Sequence, residues 1–221
     1  MREWQVGDPI GDGNDIGVPD TKYMGYLRNN DENNQPKSSS SKDIELSKQY
    51  YGQAMKLKDE RKVYDALSFI NAAIRYNPDD SRYWNQKGII LWIIMMNNDV
   101  SVGLEAYNCF NEALTIKPDE EAYQTNKKNF LPEWGLKLFS IGDNNQAMVR
   151  VNEALSLIDD KSNPSYIKAL TTKIGICLSR EDYTNALKYC DEALEILPND
   201  DILLDFKQKA LEGKEVDDLI W

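Results

Sequence analysis

The acidic side chains of this 221-residue chain gather in groups that could serve as paired acids and bases or as cation ligands: Asp119, Glu120 and Glu121; Asp159 and Asp160; Asp200 and Asp201. Two carboxylates held close together can divide acid and base roles in hydrolysis. Each group, however, falls just before a new apolar period, where negative charge complements the positive end of a helix dipole. A structural role is expected for all three. Histidine, the usual proton carrier near neutral pH, is absent from the sequence. Its absence argues against most nucleophile and base triads and most zinc chemistry.

Three cysteines, Cys109, Cys177 and Cys190, form no CxxC pair and are an odd number, which argues against a disulfide framework or a zinc site. Cys177 and Cys190 occupy apolar positions and read as small buried hydrophobes, while Cys109 reads as a helix-flank residue; reactive thiols need an electropositive, open setting. Gly11, Gly13 and Gly17 suggest a phosphate loop, and Asp8, Asp12, Asn14 and Asp15 a calcium loop. Neither has its required context, since no strand precedes the glycines, no Gly-Lys-Ser/Thr follows them, and no glutamate closes a calcium loop. No catalytic, cofactor-binding or metal-binding residue is assigned, no cofactor is expected, and the chain is not expected to be an enzyme.

Lys and Arg number 26 against 37 Asp and Glu, a net charge of −11. Such a charge repels phosphate backbones and anionic lipid, so neither nucleic acid nor membrane is an expected partner. The longest apolar run, Ile89 to Met96, is far short of the roughly 20 residues a spanning helix needs. The N-terminus has no apolar signal core. With a sparse cysteine set, these features lead to an expected cytoplasmic location.

The elements that must position any site come from a repeated phrase. Ala66, Ile70, Ala73 and Pro78 are echoed by Ala106, Phe110, Ala113 and Pro118, by Ala147, Val151, Ala154 and Asp159, and by Ala186, Cys190, Ala193 and Pro198. Steps of four and three residues place the two alanines and the larger residue on one helix face. Small side chains let a neighbouring backbone approach, and the proline stops the helix. Upstream of each copy lies a second amphipathic segment with its own small residue: Ala54, Gly88, Gly135 and Gly175.

Four such pairs resemble tetratricopeptide (TPR) repeats, with their W-x2-L-G-x2-Y, A-x3-F and P pattern. The resemblance covers about residues 44 to 200. It implies an all-α, right-handed α-solenoid of four TPR-like helix hairpins, with Ile202 to Leu211 as a C-terminal capping helix. The repeats are long: successive first alanines stand 40, 41 and 39 residues apart, against about 34 in the family. In the second repeat the extra residues lie between its two helices, and in the third and fourth they are expected ahead of the first helix. Pro132 is expected to kink or split the helix that carries it.

The expected organisation is an N-terminal Gly/Asp/Pro-rich segment (1–27) docked in cis, a disordered polar linker (28–43), the solenoid (44–213) and a C-terminal tail (214–221). The resemblance also implies that the first helix of each hairpin lines a concave surface. By position this gives Tyr51, Met55, Asn85, Ile89, Trp92, Leu136, Phe139 and Ile176 as a partner-binding groove. Apolar grooves receive polypeptides. One family subtype grips terminal carboxylates with Lys and Asn on these helices; the apolar Tyr51, Met55 and Ile89 disfavour that role. The N-terminal anchors and the terminal EVDDLIW are both candidates to occupy the groove. The expected function is a protein- or peptide-binding adaptor or scaffold, the alternative being a regulatory subunit that binds a peptide signal and switches a partner.

Overall fold

A computed structural model describes residues 39–220, with side chains to residue 213. The N-terminal segment 1–27, its docking in cis and nearly all of the linker lie outside the described residues. The described chain is all-α, with helices α1 (Ser41–Asp59), α2 (Val63–Tyr76), α3 (Ser81–Met96), α4 (Gly103–Ile116), α5 (Glu121–Ser140), α6 (Asn144–Leu157), α7 (Pro164–Ser179), α8 (Tyr183–Ile196) and α9 (Asp201–Ile220). No strand occurs among the described residues. Two compact units result. The first comprises the described residues to Asn97 with Leu104–Asp119, the second Asn98–Gly103 with Glu120 onward.

Local sequence sets the helix ends. Ser40 and Asp43 form a reciprocal capping box at α1, and Asp80, Asp143, Asn163, Asp182 and Asp200 accept backbone N–H bonds at later helix starts. Helices α2, α4 and α8 each end two residues before the proline of the repeated phrase. At each hairpin turn one residue takes the left-handed conformation: Arg61, Asn98, Gly142 and Glu181, with φ of 63°, 80°, 83° and 59°. In three of these turns a further backbone bond seals the helix end, from Lys62 N to Leu57 O, Asp143 N to Leu138 O and Asp182 N to Cys177 O.

In the first unit α1 packs on α2, and α2 on α3. Ala54 of α1 and Ala66, Ile70 and Ala73 of α2 are all 0 % exposed. In the next hairpin Gly88 opens α3 to the Phe110 ring of α4, so close that a Cβ there would sit 2.8 Å from it. Lys87 is buried beside this contact and pairs with Glu105 across 2.7 Å. Tyr83 is buried and shares a hydrogen bond with Ser47 at 3.1 Å.

In the second unit Gly135 of α5 meets Val151 of α6, where an added Cβ would stand 2.6 Å from the valine methyl. Helix α7 packs against α5, α6, α8 and α9. All eight alanines of the repeated phrase, across both units, are 0 % exposed. Each removes its small apolar surface from water while allowing close helix approach.

Several expectations change. Pro132 does not split its helix, because α5 runs unbroken from Glu121 to Ser140. The extra residues of the third repeat lie inside α5, which starts directly after the KPDE turn. In the fourth they divide between the loop before α7 and α7 itself. Those of the second repeat divide between the part of α3 that follows Gly88 and a 3-10 turn, Val100–Val102. Helix α1 begins at Ser41, inside the expected linker, since its capping box holds the start there. The expected tail from 214 is instead a continuation of α9 to Ile220, with no proline in EGKEVDDLI to end the helix.

Candidate partner-binding faces

Helical periodicity places residues three before, one after and four after each small residue on one face of the first helix of a hairpin. In the first unit this face carries Tyr51 and Met55 on α1 and Ile89 and Trp92 on α3, all half-buried. Tyr51 is held by stacking on Tyr83, centroids 5.0 Å apart. Lys58 Nζ lies 3.7 Å from Met55 Sδ and donates to Gln86 Oε1 at 3.3 Å. Next to it an open recess of about 320 Å³ is lined by Lys58, Arg61, Val63, Ile93 and Asn97. Sequence reasoning missed this recess, because Arg61 and Asn97 sit in turns that helical periodicity does not reach.

In the second unit Leu136 is 39 % exposed. Phe139 is half-buried, its ring lying over Gly175 of α7, where a Cβ would be 3.0 Å away. Two expected groove residues are not at the surface. Ile176 is 0 % exposed, because α7 is enclosed by four helices. Asn85 is 5 % exposed, its short side chain covered by packing. These two support the fold rather than present a contact surface.

The chemistry available elsewhere is limited. All three thiols are buried, Cys109 included, so it is no flank residue. Burial pushes Cys109 up to about 12 and Cys190 to about 11, and raises Cys177 as well, so none supplies a thiolate near neutral pH. Of the acidic groups, Asp200 caps a helix start and Asp160 closes the loop ahead of α7, whereas Glu120 at the start of α5 makes no side-chain cap bond. Asp200 Oδ1 accepts from Ile202 N and Leu203 N, and Asp160 accepts from the backbone and hydroxyl of Ser162, which hold its carboxyl below its usual range. Among the described residues no three His, Cys, Asp or Glu side chains group to hold a metal. None of the described helices is long and apolar enough to cross a membrane.

No protein-family model and no curated protein matches the chain. Among solved structures, the TPR protein MamA superposes on 79 % of this chain and 85 % of its own, with a TM-score of 0.55 at 14 % identity. The chain has the TPR fold. A further structure, residues 41 to the end of MamA from Desulfovibrio magneticus RS-1, aligns over 77 % of this chain and 92 % of its own with TM-score 0.48 and 14 % identity. YrrB, described as a TPR protein with an unusual peptide-binding site, aligns over 79 % and 91 % with TM-score 0.47 and 16 % identity. At these identities the TPR likeness concerns backbone architecture. The side chains of the faces described above are this chain's own.

Proposed function

We propose that this protein is a polypeptide-binding adaptor whose contact surfaces are the first-helix faces of its TPR hairpins. The observation that carries the reading is the side-chain set at those faces. Met55, Ile89, Trp92, Leu136 and Phe139 are large and apolar yet keep part of their surface exposed, where an isolated solenoid would gain solubility from charge. Aromatic residues anchor interfaces with little loss of side-chain entropy, which makes Trp92 and Phe139 the main anchors in their respective units. Tyr51, Met55 and Ile89 flank Trp92, and Leu136 flanks Phe139. A protein or peptide ligand suits these faces. The net charge of −11 works against nucleic acid and anionic lipid and draws basic partners.

Affinity capture from native extract, compared between the wild-type chain and a Trp92→Ala/Phe139→Ala variant, tests the reading. The wild type is expected to retain a defined protein that the variant loses, with the variant's melting transition still cooperative. Equal capture by both would overturn it.

A further inference from the structure

The first hairpin turn is dense in charge, KLKDERK from Lys56 to Lys62, and the fold separates its two signs. Glu60 is taken by Lys62 at 2.8 Å. Asp59 is exposed and, like Glu60, is not among the walls of the open recess at this end of the hairpin. Lys58 and Arg61 line that recess with Val63, Ile93 and Asn97, which makes two cations, two apolar side chains and one amide, and no carboxylate. Among the described residues Lys58 Nζ meets the Gln86 amide oxygen at 3.3 Å and Met55 Sδ at 3.7 Å, and Arg61 makes no side-chain hydrogen bond or ion pair. Lys87, the buried cation of α3, by contrast has Glu105 at 2.7 Å. In a chain of net charge −11 carboxylates are plentiful, yet none neutralises this recess.

Two further features single the recess out. Arg61 holds a left-handed backbone, φ 63°, whereas the matching turn after α5 fills that conformation with Gly142 at φ 83°. The turn itself gains nothing from an arginine, since glycine adopts this conformation without strain. The recess also adjoins the first-helix face of its unit. Met55, whose sulfur Lys58 approaches, belongs to that face, and Ile93 follows Trp92 and lies one helical turn beyond Ile89. We propose that the recess receives the carboxylate of an aspartate or glutamate side chain in the polypeptide that lies on this face.

The inference rests on the adaptor reading and adds the chemistry of the partner, a segment that pairs a large apolar residue with an acidic one. Lys58 and Arg61 supply charge-assisted hydrogen bonds to the carboxylate, and the Asn97 amide offers a further donor. Val63 and Ile93 give its methylene stem an apolar wall. Lys58 is half-buried and Val63 is 7 % exposed, so the contact is screened less than on an open helix. A volume of about 320 Å³ admits such a side chain. Because the recess lies at the rim, where α1 and α3 end, a chain crossing the face reaches it with a side chain. The net charge of the whole molecule acts at long range and favours a basic partner, whereas the recess acts at contact and selects one acidic residue within it.

Selection by the full chain from matched synthetic libraries of random peptides, one amidated and one with free C-termini, tests it. Retained amidated peptides are expected to carry Asp or Glu at a fixed spacing from a large apolar residue. Exchanging that residue for its amide is expected to weaken binding about tenfold in the wild type and under about twofold in Arg61→Gly/Lys58→Met, measured by fluorescence anisotropy. Arg61→Gly installs the residue that the left-handed turn prefers, so the melting transition of that single variant stays at or above wild type, and it is measured alone as well. Lys56→Met removes one charge outside the recess and is expected to keep the tenfold discrimination. Peptides that depend on Trp92 but are indifferent to the acid-to-amide exchange overturn the inference and leave the adaptor reading standing, as does an equal loss in the wild type and the recess variants. Retention of free-acid peptides alone overturns it by assigning the recess to a chain terminus. No retention, or retention unchanged in Trp92→Ala, overturns the adaptor reading and the inference together.

Discussion

Helices α2 and α8 have the same length of 14 residues and the same alanine phrase, but the first buries nine residues and the last three. The phrase dictates one face, the seam with the preceding helix. The opposite face is set by what lies beyond the hairpin: Ser68 and Ala72 on α2 are small and covered, whereas Lys188 and Glu192 on α8 are charged. A repeat thus specifies how each hairpin closes and leaves its outer side free to become surface or interior.

The largest effect is expected where the two helices agree. Ala73→Arg and Ala193→Arg each drive a charged bulk into a fully buried seam, costing about 3 kcal/mol or more. Ala113→Arg should do the same in α4. Thermal melting checks all three, and an unchanged transition in any of them would break the common seam. The next effect separates the helices. Ser68→Lys, which gives α2 the residue of α8, should cost about 1–3 kcal/mol, while Lys188→Ser stays within about 0.5 kcal/mol of wild type by denaturant titration.

Gly52→Ala sharpens the contrast within the first hairpin. A Cβ at Gly52 of α1 meets nothing within 4 Å, so the better helix former should stabilise by about 0.5–1 kcal/mol. A loss of stability there would contradict the open surroundings of Gly52.

The smallest effect concerns the charged outer side of α8. Glu192 accepts hydrogen bonds from Lys161 Nζ and Tyr166 Oη, each at 2.7 Å, and these hold its carboxyl below the usual glutamate range. A depressed folded-state value contributes stability that is present above the unfolded value, about 4.3. It is lost as pH falls through the folded one. Glu192→Gln should therefore be less stable than wild type at pH 7 by under about 1 kcal/mol, given solvent screening. The two should converge below about pH 4. Melting curves across that range decide it, and a gap that widens in acid would contradict the assignment.

The hairpins were legible in the sequence because their determinants are local. Alanines at helical spacing, prolines two residues past the ends of α2, α4 and α8, and Asp caps all act within a turn or two of the residues they control. The partly exposed positions of Tyr51, Met55, Ile89, Trp92, Leu136 and Phe139 follow from the same local offsets from a small residue. Asn85 and Ile176 share those offsets and yet are buried, because their exposure depends on which elements enclose the helix, information that no local pattern holds. Pro132 was expected to kink or split its helix, and the split does not occur. The burial of Phe130, Leu131 and Trp134 on either side of it keeps α5 continuous across the lost backbone donor. The cationic recess beside Met55 had no periodic signature, since turns contribute two of its walls.

The central claim is that half-exposed apolar side chains on the first helices contact another polypeptide. Placing the photo-crosslinking residue p-benzoylphenylalanine at Trp92 and irradiating the full chain in native extract tests it most directly. A discrete cross-linked protein species is expected, absent when the same residue is placed at exposed Asn152 on α6. Cross-links at Asn152 with none at Trp92 would contradict it.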